Sequence, residues 1–253
     1  MKRIFTTLSE KWPEYLLEIF VLIIGIYGAF AVDNWNETRK SLDEEQALYD
    51  QLLLDYEANL AQLEQKIFMH QQSIKSGFAV LQAIDYPENI NYDSVTSHLA
   101  IFSIDPTFDP IANDLVGSGK INLIQNPELN RFLSNWESDF VAFKEIELMW
   151  QGRVYDQLLS ILIELGINRD VDSQFWKNGT LNSVWLLDKE SSGMQLISKS
   201  KSPPELKDIL ENKALEGIIS HGIQMNQAAA EQGMGLKKRI EHTISLLNSK
   251  KKK

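Results

Sequence analysis

Cysteine is absent from all 253 residues, which removes disulfides, thiolate nucleophiles and cysteine-ligated metals together. Cysteine-free chains are compatible with cytoplasm and periplasm, so this absence does not locate the protein. Glycine (13) and proline (7) are scarce. They fall between apolar-periodic runs, which favours helices over a sheet protein dense in turns. Basic charge is also short: 25 Lys and Arg stand against 35 Asp and Glu, a formal net charge of −10. Residues 1–32 balance Lys2, Arg3 and Lys11 against Glu10, Glu14 and Glu18, so the acidic excess lies wholly beyond them. An acidic body lacks the positive surface that a phosphate backbone requires, and no nucleic-acid partner is expected.

Signatures of chemistry are missing as well. His70, His98, His221 and His242 lie far apart with no HExxH or paired spacing, so satisfied or exposed histidines are expected and no metal. "NRDVDS" (168–173) alternates two carboxylates but lacks the glycine and the bidentate glutamate of a calcium loop, and reads as a polar turn. "GSGK" (117–120) lacks the first glycine and the following Ser/Thr of a phosphate loop and reads as a helix-terminating turn. No GxSxG occurs. Trp136, Phe140, Phe143 and Trp150 recur at helical spacing and are expected in the core. No cofactor is expected, and the chain reads as something other than an enzyme.

What is present is one long apolar run. From Ile19 to Val32 no residue is charged, and Trp12 and Trp35 bracket the stretch with Tyr15 near its start. The 23 steps between the tryptophans span about 35 Å of helix, enough to cross a hydrocarbon core of about 30 Å with Trp12, Tyr15 and Trp35 as interface anchors. No small-x-small cleavage site leads into an ordinary mature start, so a retained anchor is preferred to a cleaved signal. Three basic side chains precede the span and Arg39 and Lys40 follow it, a slight bias towards the N-terminus inside. The resulting division is a cytoplasmic segment (1–11), a transmembrane helix (12–35), an extracytoplasmic helical bundle (36–249) and a basic tail (250–253). In a bacterium this is a single-pass inner-membrane protein with most of its chain in the periplasm.

Glu18 stands within the apolar stretch, about 9 Å of helix rise beyond Trp12. A carboxylate in a span is costly and invites a functional reading. Three readings are open: an interfacial carboxylate, a helix–helix contact with a second protomer or a partner membrane protein, and a proton carrier. Gly25, Gly28 and Ala29 fall near the Glu18 face, and small residues let helix backbones approach closely. The expected partners are the lipid bilayer and either a second copy or another membrane protein.

These residues resemble an uncharacterised bacterial family of single-pass membrane proteins. Its pattern, E-I-x-x-x-x-I-G-I-x-x-A followed by N-W-N-E, is matched by Glu18, Ile19, Ile24, Gly25, Ile26, Ala29, Asn34, Trp35, Asn36 and Glu37. A looser similarity is "LVGSGKINLIQNPEL" (115–129), while Asp33 replaces a more usual asparagine. The resemblance implies a membrane-anchored helical protein of unknown function and supplies no catalytic residues.

Beyond the span, apolar residues recur at Leu42, Leu48, Leu52, Tyr56, Leu60, Leu63, Ile67, Ile74, Phe78 and Leu81. Span and stalk therefore read as one helix ending before Pro87, with a bundle face or a short coiled coil. Asp109-Pro110 reads as the start of a short helix ending at Gly117 or Gly119. Asn126-Pro127 starts a second long helix that Gly166 stops. Asn178-Gly179 reads as a turn. Ser202 with Glu205 forms a capping box for the last helix, which ends in Lys250, Lys251, Lys252 and Lys253. If that helix returns antiparallel to the stalk, the four lysines approach the headgroups, worth about 1 kcal/mol each at most. The expected fold is all-α: an N-terminal transmembrane helix continuing into a bundle with three long helices and several short ones. The leading functional expectation is a membrane-anchored binding, scaffold or sensor-like module. The alternative is a complex subunit acting through its span at Glu18, with an unrecognised enzyme a distant third.

Overall fold

Helix α1 (Lys2–Asp85) runs for 84 residues without a break, about 126 Å at 1.5 Å per residue. The computed structural model describes residues 2–112, 114–177 and 195–251. The expected turn at Asn178-Gly179, Lys252, Lys253 and the side chains of Tyr15, Lys250 and Lys251 lie outside the described residues. After α1 come α2 (Tyr92–Phe102), α3 (Pro127–Arg153), a π-helical turn (Val154–Leu158), α4 (Leu159–Glu164), α5 (Asn168–Phe175), α6 (Leu206–Leu210) and α7 (Lys213–Lys251). No strand occurs among the described residues. The fold is the expected all-α bundle, with a long N-terminal apolar helix leading into it.

Only the C-terminal half of α1 packs. Two apolar cores line it: one around Tyr49, Leu52, Leu63, Leu129, Phe143 and Ile240, the other around Val80, Leu99, Phe102, Trp150, Leu158 and Ile219. The expected α1 stripe is half right. Leu52, Tyr56, Leu63 and Ile67 are buried, but Leu42 and Phe78 are exposed. The seam instead passes through Asn59, His70, Ser73 and Ser76, all buried. Periodicity counted on apolar residues alone misses a face that is partly polar.

Helix α3 runs in the same direction as α1, and Tyr56 packs on Trp136 with ring centroids 5.0 Å apart. Helix α7 returns antiparallel. Lys237 Nζ lies 2.6 Å from Glu64 Oε1, and the nearest side-chain carbon to a Cβ at Gly233 belongs to Ile67, to one at Gly77 to Ile223. Continuing this register sets Lys251 level with about residue 50, roughly 22 Å up α1 from Trp35. The condition set for the tail, an antiparallel last helix, is met as far as Lys251; Lys252 and Lys253 lie outside the described residues.

Three local expectations are corrected. No helix forms from Asp109 to Gly117. At the start of that segment α1 supplies the hydrogen bonds: Asn59 donates to Ile111 O (3.0 Å) and accepts from Ile111 N (2.7 Å), and Gln62 accepts from Asp109 N (3.2 Å); a turn follows from Leu115. The chain then turns at Gly119, whose φ of 72° needs glycine, into a 3-10 turn at Lys120–Leu123. "NRDVDS" belongs to α5, not to a polar turn. Ser202 caps nothing; Glu205 is the residue before α6, which stops at Leu210. Helix α7 starts afresh after Asn212, whose Oδ1 accepts from Leu215 N at 2.9 Å. The starts at Asn91 and Asn126 carry the same side-chain caps, and Gly166 (φ 70°) ends α4 as expected.

Close approach of α7 to α2 and α3 depends on Gly222, where a Cβ would overlap the rings of Trp150 and Phe102. Both rings are buried and in edge contact at 5.2 Å, so neither can yield. Gly222→Ala is expected to cost about 1–3 kcal/mol through overpacking. Gly217→Ala, on the exposed face of the same helix with nothing within 4 Å, should instead add about 0.5–1 kcal/mol from helix propensity. Denaturant melts of the two variants against wild type check the pair.

Candidate functional site

Three features stand out from the packing: a bare apolar helix, a buried polar centre and an apolar cavity. The first is the N-terminal part of α1. One helix among the described residues is long and apolar enough to cross a membrane, and none of its apolar stretch is buried in the chain. Leu17 is 67% exposed and Tyr27 74%, so this is not the core helix of the bundle. Glu18, Ala29, Trp12 and Trp35 are exposed, and a Cβ at Gly25 or Gly28 would meet nothing within 4 Å. Among the described residues, Glu18, Gly25, Gly28 and Ala29 are thus unpacked along the stretch, and no other element is gathered onto them.

The second feature lies where α1, α3 and α7 cross between the two apolar cores. His70 of α1, Glu147 of α3 and Asn226 of α7 are fully buried. Asn226 Nδ2 donates to Gly222 O at 2.8 Å, which fixes its Oδ1 as an acceptor, and His70 Nδ1–H donates to that oxygen at 2.8 Å. His70 Nε2 lies 3.2 Å from Glu147 Oε1. Glu147 Oε2 accepts from Phe108 N at 2.6 Å. All six polar atoms of the three side chains are matched, as burial demands. Nearby, burial pushes the Lys66 amine below the ordinary lysine range, an effect the Glu147 and Asp105 carboxylates partly offset.

The third feature is a cavity of about 490 Å³ between α2, the π-helical turn, α4 and α5. Its apolar wall includes Ile104, Leu158, Leu162, Val171 and Phe175, and its polar lining includes Asp105, Tyr155, Asn168 and Asp172. The π turn, closed by Leu159 N–H donating to Val154 O, turns Val154, Tyr155, Leu158 and Leu159 all towards the cavity. Such widened turns concentrate at functional positions. Asp105 accepts from Gln151 Nε2 at 3.0 Å, and its charge raises the Tyr155 phenol above the usual tyrosine range, helped by burial and their hydrogen bond. Burial raises the Asp172 carboxyl, although the 3.0 Å hydrogen bond from Asn168 opposes the shift. Asp170, by contrast, faces away into a structural role, accepting from Tyr92 Oη (2.5 Å) and Ser200 N (2.6 Å).

Sequence reasoning did not find the polar centre or the cavity. His70, Glu147 and Asn226 are 77 to 156 residues apart, and no spacing rule connects them. Their one local signal is polarity on the inward face of otherwise apolar helices. The aromatic stripe of α3 is largely core as expected: Trp136, Phe143 and Trp150 are buried.

The chain belongs to a family of unknown function, DUF6090, whose model matches residues 18–165. The match starts at Glu18 and takes in the apolar stretch, α2, α3 and the π turn. No curated protein and no solved structure matches the chain.

The polar centre and the cavity make separate predictions. Glu147→Ala strands both His70 and Phe108 N in the core and is expected to cost about 3–5 kcal/mol. Glu147→Gln retains an acceptor for Phe108 N and offers an N–H to neutral His70, so it should cost less than half as much; chemical denaturation compares them. For Asp172, the folded carboxyl holds its proton to higher pH than the unfolded one. That preference favours the fold at low pH and is lost as pH rises through the folded value. Asp172→Asn should therefore raise Tm at pH 7, and the gain should vanish as pH falls to the ordinary carboxyl value of 3.8, read by thermal melts across pH.

Proposed function

We propose that this member of the family is a single-pass membrane-anchored module that acts by binding, with its helical bundle held outside the cytoplasm on a rigid stalk. The observation that carries the reading is α1 itself: one unbroken helix joins a wholly exposed apolar stretch to the centre of a packed bundle. An exposed apolar surface of this length is unstable in water and is matched by a hydrocarbon core of about 30 Å. With no loop between span and bundle, a displacement of the bundle relative to the membrane tilts or shifts the span, which suits a scaffold or a sensor-like module. His70, Glu147 and Asn226 are turned towards one another in the core, a structural join that supports a binding role over a catalytic one. Placement in a bacterial inner membrane with the N-terminus inside rests on the slight excess of basic residues before the span.

A second reading has its own support. Among the described residues no other element packs on Glu18, Gly25, Gly28 or Ala29, leaving a face that admits a second copy or another membrane helix. On this reading the protein is a subunit of a membrane complex.

Because the chain has no cysteine, single introduced thiols report without background. Ser249→Cys, on the exposed side of α7, should react with a membrane-impermeant maleimide in spheroplasts, and Ser9→Cys only after permeabilisation. The reverse pattern inverts the orientation, and equal labelling of both removes the span. The mass of the protein purified in mild detergent then separates the two readings. Glu18→Gln should leave the mass of a bundle-bound partner complex unchanged, and should dissociate a complex held by the span.

A further inference from the structure

The cavity is walled by apolar side chains, yet every ionisable group on its described lining is an acid or a phenol. Asp105, Asp172 and Tyr155 face it, and no Lys, Arg or His lines it among the described residues. Its volume of about 490 Å³ falls within the range of small-molecule sites, about 300–1,000 Å³. We propose that this cavity is a binding site for an apolar cation, an alkyl or aryl amine, whose hydrocarbon part fills the space between Leu158, Leu162 and Val171 and whose ammonium pairs with Asp172. The proposal deepens the binding-module reading and rests on it.

The two carboxylates differ in how much capacity they have left. Asp105 already accepts from Gln151 and Tyr155 and feels the Lys66 charge. Asp172 receives only the neutral amide of Asn168 among the described residues. A carboxylate partly removed from water beside apolar walls lacks a counter-charge, and a ligand ammonium supplies one as a charge-assisted hydrogen bond. Phe175 and Trp176, edge to face at 5.0 Å, add ring faces at the same wall, and ring faces attract cations. An anionic ligand meets only like charge here. The π turn fits this role: its widened backbone brings Val154, Tyr155, Leu158 and Leu159 to one lining, contributing apolar contact and a phenol together.

The test uses the full chain in nanodiscs of zwitterionic lipid, because detergent would compete for an apolar cavity. Phenylbutylamine, phenylbutanol and phenylbutyrate share a hydrocarbon part and differ in charge. Calorimetric titration, corrected with empty nanodiscs, should show saturable binding of the amine, about tenfold weaker binding of the alcohol, and none of the acid. Asp172→Asn should weaken the amine about tenfold and leave the alcohol unchanged; its thermal melt at pH 7 establishes that the variant is folded. Equal affinity of amine and alcohol, preference for the acid, absence of saturable binding by all three, or an amine affinity untouched by Asp172→Asn would each overturn the proposal. Failure here with impermeant labelling intact at Ser249→Cys removes the amine site and leaves the anchored module standing. Loss of the labelling pattern removes the anchored module whatever the calorimetry shows.

Discussion

The hydrogen-bonded join of His70, Glu147 and Asn226 ties α1, α3 and α7 at one height, and the remaining packing is organised around it. Each of these side chains is costly to bury alone, and each becomes acceptable only when the other two stand opposite. A slide of α7 by one residue would strand His70 Nδ1 and Asn226 Oδ1 in a dry core, which favours the observed register. Apolar side chains above and below it are more forgiving, since leucine and isoleucine pack in several arrangements at similar cost. The polar layer therefore selects the alignment, and the two flanking cores supply most of the burial. Gly222, one turn before Asn226, lets α7 come close enough for that contact, and its carbonyl orients the Asn226 amide.

That alignment has consequences at both ends of the bundle. Towards the apolar stretch it returns α7 alongside the stalk, closing the lower core around Tyr49 and Leu247. Away from it, Trp150 donates to Ile104 O at 3.0 Å and packs on Phe102, which orders the start of the loop after α2. Immediately beyond Trp150, α3 widens into the π turn and the cavity opens. The helix that carries the exposed apolar stretch thus runs unbroken into the bundle that holds the cavity. A protein that must relate an event in its bundle to its membrane contacts gains from that continuity, because a flexible linker would dissipate the displacement.

Much of this was legible from local signals. The apolar stretch announced itself by length and the tryptophans at its ends, the continuous stalk by its lack of breakers, and the start of α3 by its asparagine cap. The local failures have a common cause. Residues 109–117 hold helix-start and helix-stop residues, yet Asn59 and Gln62 of a distant helix offer the backbone better partners. "NRDVDS" has the composition of a turn, yet Asp170 is taken up by Tyr92 and Ser200, which holds the segment as a helix. In each case a long-range hydrogen bond outweighed a weak local preference.

The sequence by itself determined the helical class, the one apolar run able to span a bilayer, the acidic character of the rest and the impossibility of thiol chemistry. These follow from composition and short-range periodicity, which depend only on near neighbours along the chain. Tertiary structure alone decided that a histidine, a glutamate and an asparagine from three helices meet in the core. It also decided that an acid-lined cavity opens beside a π turn, and that the last helix returns along the stalk. Those outcomes depend on which surfaces meet and at what height, and that is settled by burying polar groups in satisfied pairs across the whole bundle.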